Sequence, residues 1–155
     1  MNGNPANPFP FDPEGPWFLP AFAVLWLAMN GVMACSSGWV SLAKSFRAVS
    51  TLPPERFRFA SASLGIHWFP VGYGNCLTIS VSSQGIGFAV VLPFRFLSPP
   101  LLIPWSRIAR VSRDECFFVP IVQIRLQDHW VMIRLRGKVG ERVIEIAKQQ
   151  GKFVE

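Results

Sequence analysis

"VPIVQIRLQDHWVMIRLRG", Val119 to Gly137, is the stretch on which the fold turns. Val122, Ile124 and Leu126 alternate with Gln123, Arg125 and Gln127, and Ile133 and Leu135 alternate with Arg134 and Arg136. A period of two is that of a strand with one face in a core and the other in water. Two such runs meeting at Asp128-His129 predict a hairpin with an apolar inner face and an outer face rich in arginine.

Downstream, "KVGERVIEIAKQQG" changes period. Val139, Val143, Ile146 and Ala147 recur at helical spacing, and Gly151 is placed to end the helix. Upstream, "SRIARVSRDECFF" reads as a strand with a polar turn at Arg113 to Glu115. "RFRFASAS" and "CLTISVSS" also alternate, and Gln84-Gly85 marks a turn into a Val- and Phe-rich strand ending near Phe96.

"LSPPLLIPWSRIARV", Leu97 to Val111, could be taken for part of a second membrane span. Arg95 lies inside the apolar run, and Pro93, Pro99 and Pro100 would each remove a helix hydrogen bond, so a span is disfavoured. A turn at "SPP" followed by a strand fits better. Pro104 cannot donate to a ladder, which makes that strand an edge or a bulged one, with Trp105 turned inward.

At the other end, 29 consecutive residues between Glu14 and Lys44 carry no charge. About 20 suffice to cross the hydrocarbon core as a helix. Trp17 and Trp39 are 22 positions apart, about 33 Å along a helix, which would set one indole at each interface. The first 43 residues contain no cation, so a cleaved signal or a lipoprotein box around Cys35 is disfavoured. Lys44, Arg47, Arg56 and Arg58 follow closely, which predicts a cytoplasmic C-terminal domain and a location in the cell's inner (plasma) membrane. Asn30, Ala34 and Gly38 fall on a small, partly polar stripe where helices could pack, including those of a second copy.

The organisation read from the chain is a polar tail (1–15), a transmembrane helix (16–43), a basic, proline-bearing linker (44–56) and a β domain with a C-terminal helix (57–155). An α+β unit of about six or seven antiparallel strands, its barrel or sandwich capped by a helix, is the plan of a pleckstrin-homology-like (PH-like) domain. "GYGNCLTI" (Gly72 to Ile79) and "PPLLIPWSRI" (Pro99 to Ile108), behind a hydrophobic helix, resemble small bacterial single-pass membrane proteins of uncharacterised role. That resemblance implies a PH/GRAM-like soluble part and no chemistry. Such sequences often place an acidic or polar residue after the Trp-Ser pair, where this chain has Arg107.

Nothing in the sequence points to an enzyme, a cofactor or a metal. His67 and His129 lack neighbours at ligand or triad spacing, Asp114-Glu115 are adjacent, and no phosphate-binding glycine motif occurs. Cys35, Cys76 and Cys116 have neither disulfide-framework nor metal spacing. From Lys44 onward 15 basic and 7 acidic side chains point to an anionic partner. Arg107, Arg110, Arg125, Arg134 and Arg136 are the candidate contacts. Nucleic acid is disfavoured because the aromatics fall at core or membrane positions, whereas cations near a cytoplasmic leaflet gain about 1 kcal/mol each from anionic lipid. "IHWFPV" (Ile66 to Val71) is a candidate for dipping into that interface. The expectation is therefore a membrane-anchored, non-catalytic binding module that meets anionic headgroups or an acidic protein. The alternative is an accessory subunit of a larger membrane complex.

Overall fold

The structure, a computed structural model, describes residues 15–48, 55–92, 94–95, 97–116 and 118–154. Two helices come first, α1 (Phe18–Ser36) and α2 (Trp39–Phe46). Strands β1 (Arg56–Gly65), β2 (Pro70–Val81), β3 (Gly85–Val90) and β4 (Leu101–Pro104) follow as a meander. After one 3-10 turn, Trp105–Arg107, a second meander contains β5 (Ile108–Cys116), β6 (Val119–Leu126) and β7 (Met132–Arg136). Helix α3 (Lys138–Gln149) and a two-residue strand, β8 (Phe153–Val154), complete the chain.

One eight-stranded sheet results, ordered β4-β3-β2-β1-β7-β6-β5-β8 and antiparallel except for β5 against β8. The four-strand and three-strand meanders join where β1 pairs with both β2 and β7. Four strands, then three, curled around one core and closed by a C-terminal helix, make the domain PH-like. Its core is the inner face that the alternation marked out: Leu64, Leu77, Ile79, Phe88, Ile103, Ile124 and Ile133 are all fully buried. Strand β1 needs an irregularity to serve both meanders, and its register shifts around Phe59, which has φ 55°.

The hairpin at 119–136 forms as read, with Ile124↔Ile133 and Gln123↔Arg134 opposite each other. Helix α3 buries Val139, Val143, Ile146 and Ala147, and Gly151 takes φ 65° beyond its end. Strand β4 is an edge with Pro104 at its last position. Trp105 is buried, and its indole N–H donates to the Ser82 carbonyl at 2.7 Å.

Four local readings change. The strand expected to end near Phe96, a position outside the described residues, stops at Val90, and the next strand begins at Leu101. The polar turn expected at Arg113 to Glu115 is strand: β5 continues to Cys116, which pairs with Val119. The helix expected over 16–43 divides at Ser37–Gly38, where Gly38 has φ 76°. A Cβ at Gly38 would collide with Val131 Cγ2 and the Trp130 ring, so close packing and left-handed backbone both require glycine there. Finally, residues 44–47 belong to the domain, because Phe46 is buried and Arg47 bridges Leu101 across the β4 edge. Linker residues 49–54 lie outside the described set, and Arg56 already begins β1.

The break changes the role of one tryptophan. Trp39 is not an interfacial anchor: it is 0% exposed, packs at a tilt against Tyr73 at 5.4 Å and donates its indole N–H to the Pro99 carbonyl at 2.9 Å. Trp39, Leu42 and Phe46 fill one end of the β domain, and α3 covers the other.

Candidate membrane-facing rim and basic face

Helix α1 is long and apolar enough to cross a membrane. Over its span the mean hydropathy is 1.8, and only 6% of it is buried within the chain's own fold. Its lower end is held firmly. Ser37 Oγ lies 2.9 Å from the Tyr73 hydroxyl and accepts from the Trp39 amide at 3.3 Å, while Ala34 is buried. Three loops surround that exit. The β1–β2 loop follows Gly65, which pairs with Met132, next to the β6–β7 loop. Trp130 and Val131 of the β6–β7 loop abut Gly38. The β3–β4 loop climbs α1 itself, with Phe94 5.7 Å from Trp26.

These loops carry most of the domain's exposed large apolar side chains: Ile66, Trp68, Phe69, Leu92, Phe94, Leu97 and Trp130. Trp68 is 88% exposed, an arrangement water alone does not favour. Elsewhere on the described β domain such residues are scattered, at Phe59, Phe118, Val119 and Val154.

The five candidate arginines separate into two kinds. Arg110 and Arg125 face each other across β5–β6, and Arg125 faces Met132 on β7, so this pair sits in the strand row next to the rim. Arg134 and Arg136 share the outer surface one and two rows further on. Four of the five thus lie on one outer face, as the alternation required. Arg107 is elsewhere, in the 3-10 turn, and Asp128 accepts from its Nη1 at 2.9 Å. Both partners are well exposed, so this pair contributes little to stability. Arg134 is also engaged: its Nη2 lies 3.3 Å from His67 Nδ1 and donates to the His67 carbonyl at 3.4 Å.

The helix-packing stripe is placed differently from its expected use. Ala34 and Gly38 are buried against their own domain, and the Asn30 amide donates to the Trp26 carbonyl at 2.7 Å, one turn back. The His129 ring packs at a tilt against Phe46 at 5.2 Å, and His67 faces Arg134. No group of three metal-ligating side chains occurs among the described residues. Burial pushes the Cys76 thiol up, which keeps it protonated and a poor nucleophile.

The rim itself was missed as a unit. "IHWFPV" was visible as one candidate, but the other two loops join it only through strand pairing and the contact with α1.

Tyr73, the residue that clamps the helix junction, offers a direct handle. Burial raises its phenol above the ordinary value of 10.0, and the hydrogen bond with Ser37 opposes that rise. The folded state thus holds its proton where the unfolded chain has lost it. Stability is complete below pH 10 and falls as pH rises through the folded value. Tyr73 is the only tyrosine, so its ionisation can be followed by ultraviolet difference absorbance in the full chain in micelles. We expect a midpoint above 10 and alkaline weakening that Tyr73→Phe reduces, at a cost of about 1 kcal/mol near neutrality for the lost hydrogen bond. A midpoint at or below 10 would contradict the clamp.

No protein-family model matches the chain, and no curated protein is similar to it. Among solved structures, a chain of the Spt16D–Pob3N heterodimer aligns with a TM-score of 0.43 and 14% identity, over 65% of this chain and 52% of that one. The chain thus spans about half the length of that relative, and so distant a likeness carries no weight below.

Proposed function

We propose that the chain is a single-pass, membrane-anchored binding module without catalytic chemistry. Helix α1 crosses the inner membrane, the PH-like domain lies in the cytoplasm, and the rim around α1 rests on the leaflet. The observation that carries this reading is the concentration of exposed apolar side chains in the three loops around the helix exit. The basic residues after α1 favour the cytoplasmic side. Arg110 and Arg125, in the row beside the rim, then meet anionic headgroups, with Arg134 held to the rim loop at His67 and Arg136 further from the bilayer.

Kinship with the small bacterial single-pass proteins named above is part of this proposal, on the strength of the quoted motifs alone. An accessory-subunit role has less support, because two of the three stripe residues are already covered by their own domain. An acidic protein remains the other ligand class for the arginine face.

Arginine-directed chemical modification of the full chain in nanodiscs tests the lipid contact. Arg110 and Arg125 should react several-fold more slowly in discs containing phosphatidylglycerol than in pure phosphatidylcholine. The protection should vanish near 1 M salt, where the screening length is about 3 Å. Equal rates in the two discs would rule out lipid as the partner of this face.

A further inference from the structure

A groove of about 880 Å³ opens between α1, α2 and the β3–β4 loop. Helical spacing on α2 explains its chemistry. Trp39, Leu42 and Phe46 turn into the core, while Val40 and Lys44, at i and i+4, share the flank that lines the groove, and Arg47 joins them from the residue that ends the helix. The loop adds Leu92, Arg95 and Leu97, and α1 adds Leu27. The groove therefore combines an apolar wall with three cations.

No carboxylate lines it. Among the described acids, Glu55, Asp128, Glu141 and Glu145 are paired with Arg142, Arg107, Arg113 and Arg142 respectively, away from this groove. Lys44, Arg47 and Arg95 form no ion pair among the described residues, and the backbone of Arg47 is fixed by its bridge to Leu101. Three like charges line one concavity, and no carboxylate among the described residues pairs with them. Lys44, Arg47 and Arg95 are exposed, so water can solvate them, and an anion that carries hydrocarbon matches both the cations and the apolar wall.

Position selects the source of that anion. Leu27 lies nine residues before Ser36, about 14 Å along α1. With α1 across the bilayer, as proposed above and on which this step rests, Leu27 stands within the hydrocarbon layer. Lys44 and Arg47, on the domain side of the Ser37–Gly38 break, stand at headgroup level. We infer that the groove seats one anionic glycerophospholipid of the cytoplasmic leaflet. An acyl chain runs along Leu27, Val40, Leu92 and Leu97, and the phosphate meets Lys44, Arg47 and Arg95. The site is separate from the Arg110–Arg125 face.

Native mass spectrometry of the full chain, released from nanodiscs of equal phosphatidylglycerol and phosphatidylcholine, tests the site. The parent protein should retain one phosphatidylglycerol in preference to phosphatidylcholine. Lys44→Gln/Arg47→Gln/Arg95→Gln should lower that occupancy at least ten-fold. The equal charge change Lys138→Gln/Lys148→Gln/Lys152→Gln, on and after α3, should leave it unaltered. Ala43→Trp, which fills the groove without changing charge, should also displace the lipid and decides the matter if the triple variant misfolds. Undiminished phosphatidylglycerol in either groove variant, or equal retention of both lipids by the parent, would overturn the inference. Failure of the arginine-protection experiment would leave these expected results unchanged.

Discussion

Trp39→Ala should destabilise the β domain by about 3–5 kcal/mol, the usual range for truncating a large buried aromatic. The side chain is completely buried, packs on Tyr73 and places its N–H on the Pro99 carbonyl. Removing it leaves a cavity where α2, β2 and the β3–β4 loop meet, and strands a carbonyl acceptor as well. Denaturant unfolding of the full chain in micelles would show the change as a lower midpoint. Trp17→Ala supplies the contrast, since Trp17 is 80% exposed and should leave the domain midpoint unchanged. Equal, small effects at the two positions would mean that Trp39 is a membrane-interface residue after all and that α1 and α2 are one continuous span.

Leu25→Arg should have the second large effect, on insertion rather than folding. Residue 25 is near the middle of α1 and 64% exposed, so the β domain does not depend on it. A cation at the centre of a spanning helix costs roughly 2.5–3.5 kcal/mol on insertion scales, about a hundred-fold in the inserted fraction. Carbonate extraction of membranes expressing the variant should therefore release protein that the parent retains, while the released domain still unfolds cooperatively. If α1 were a helix lying on a soluble surface, the substitution would leave the distribution unchanged. Both proteins would then appear in the soluble fraction.

These two residues also mark where the sequence was readable. A long uncharged run and strict alternation are local signals, and they identified α1, the 119–136 hairpin and the core side of α3. The end of α1 was not local. No charge or proline marks Ser37–Gly38; the chain turns there because Val131 and Trp130, more than ninety residues away, leave no room for a Cβ, and because the core takes up Trp39. Length counting therefore continued the helix seven residues too far. The 91–100 loop was lost for a related reason. Its apolar residues look like strand, and only their packing on α1, Phe94 against Trp26 above all, shows where they go. Likewise Asp114 and Glu115 look like a turn, yet pairing with Ile121 and Pro120 keeps them in β5. The arginines of β6 and β7 were legible because alternation fixes the face. Which of them adjoin the rim depended on register, and Arg107 falls outside the face because it sits in the crossing turn.

The depth of the rim in the bilayer is the most direct measurement of all. Spin labels at Trp68→Cys, Leu92→Cys and Phe118→Cys, with the native cysteines replaced by alanine, can be compared in nanodiscs by their accessibility to oxygen and to a water-soluble nickel chelate. Phe118 is 99% exposed, more than Trp68, but lies in the β5–β6 turn at the opposite end of the domain. Labels at 68 and 92 should favour oxygen, as lipid-immersed sites do, and the label at 118 should favour the chelate. Equal chelate accessibility at all three positions would contradict a domain seated on the membrane by its rim.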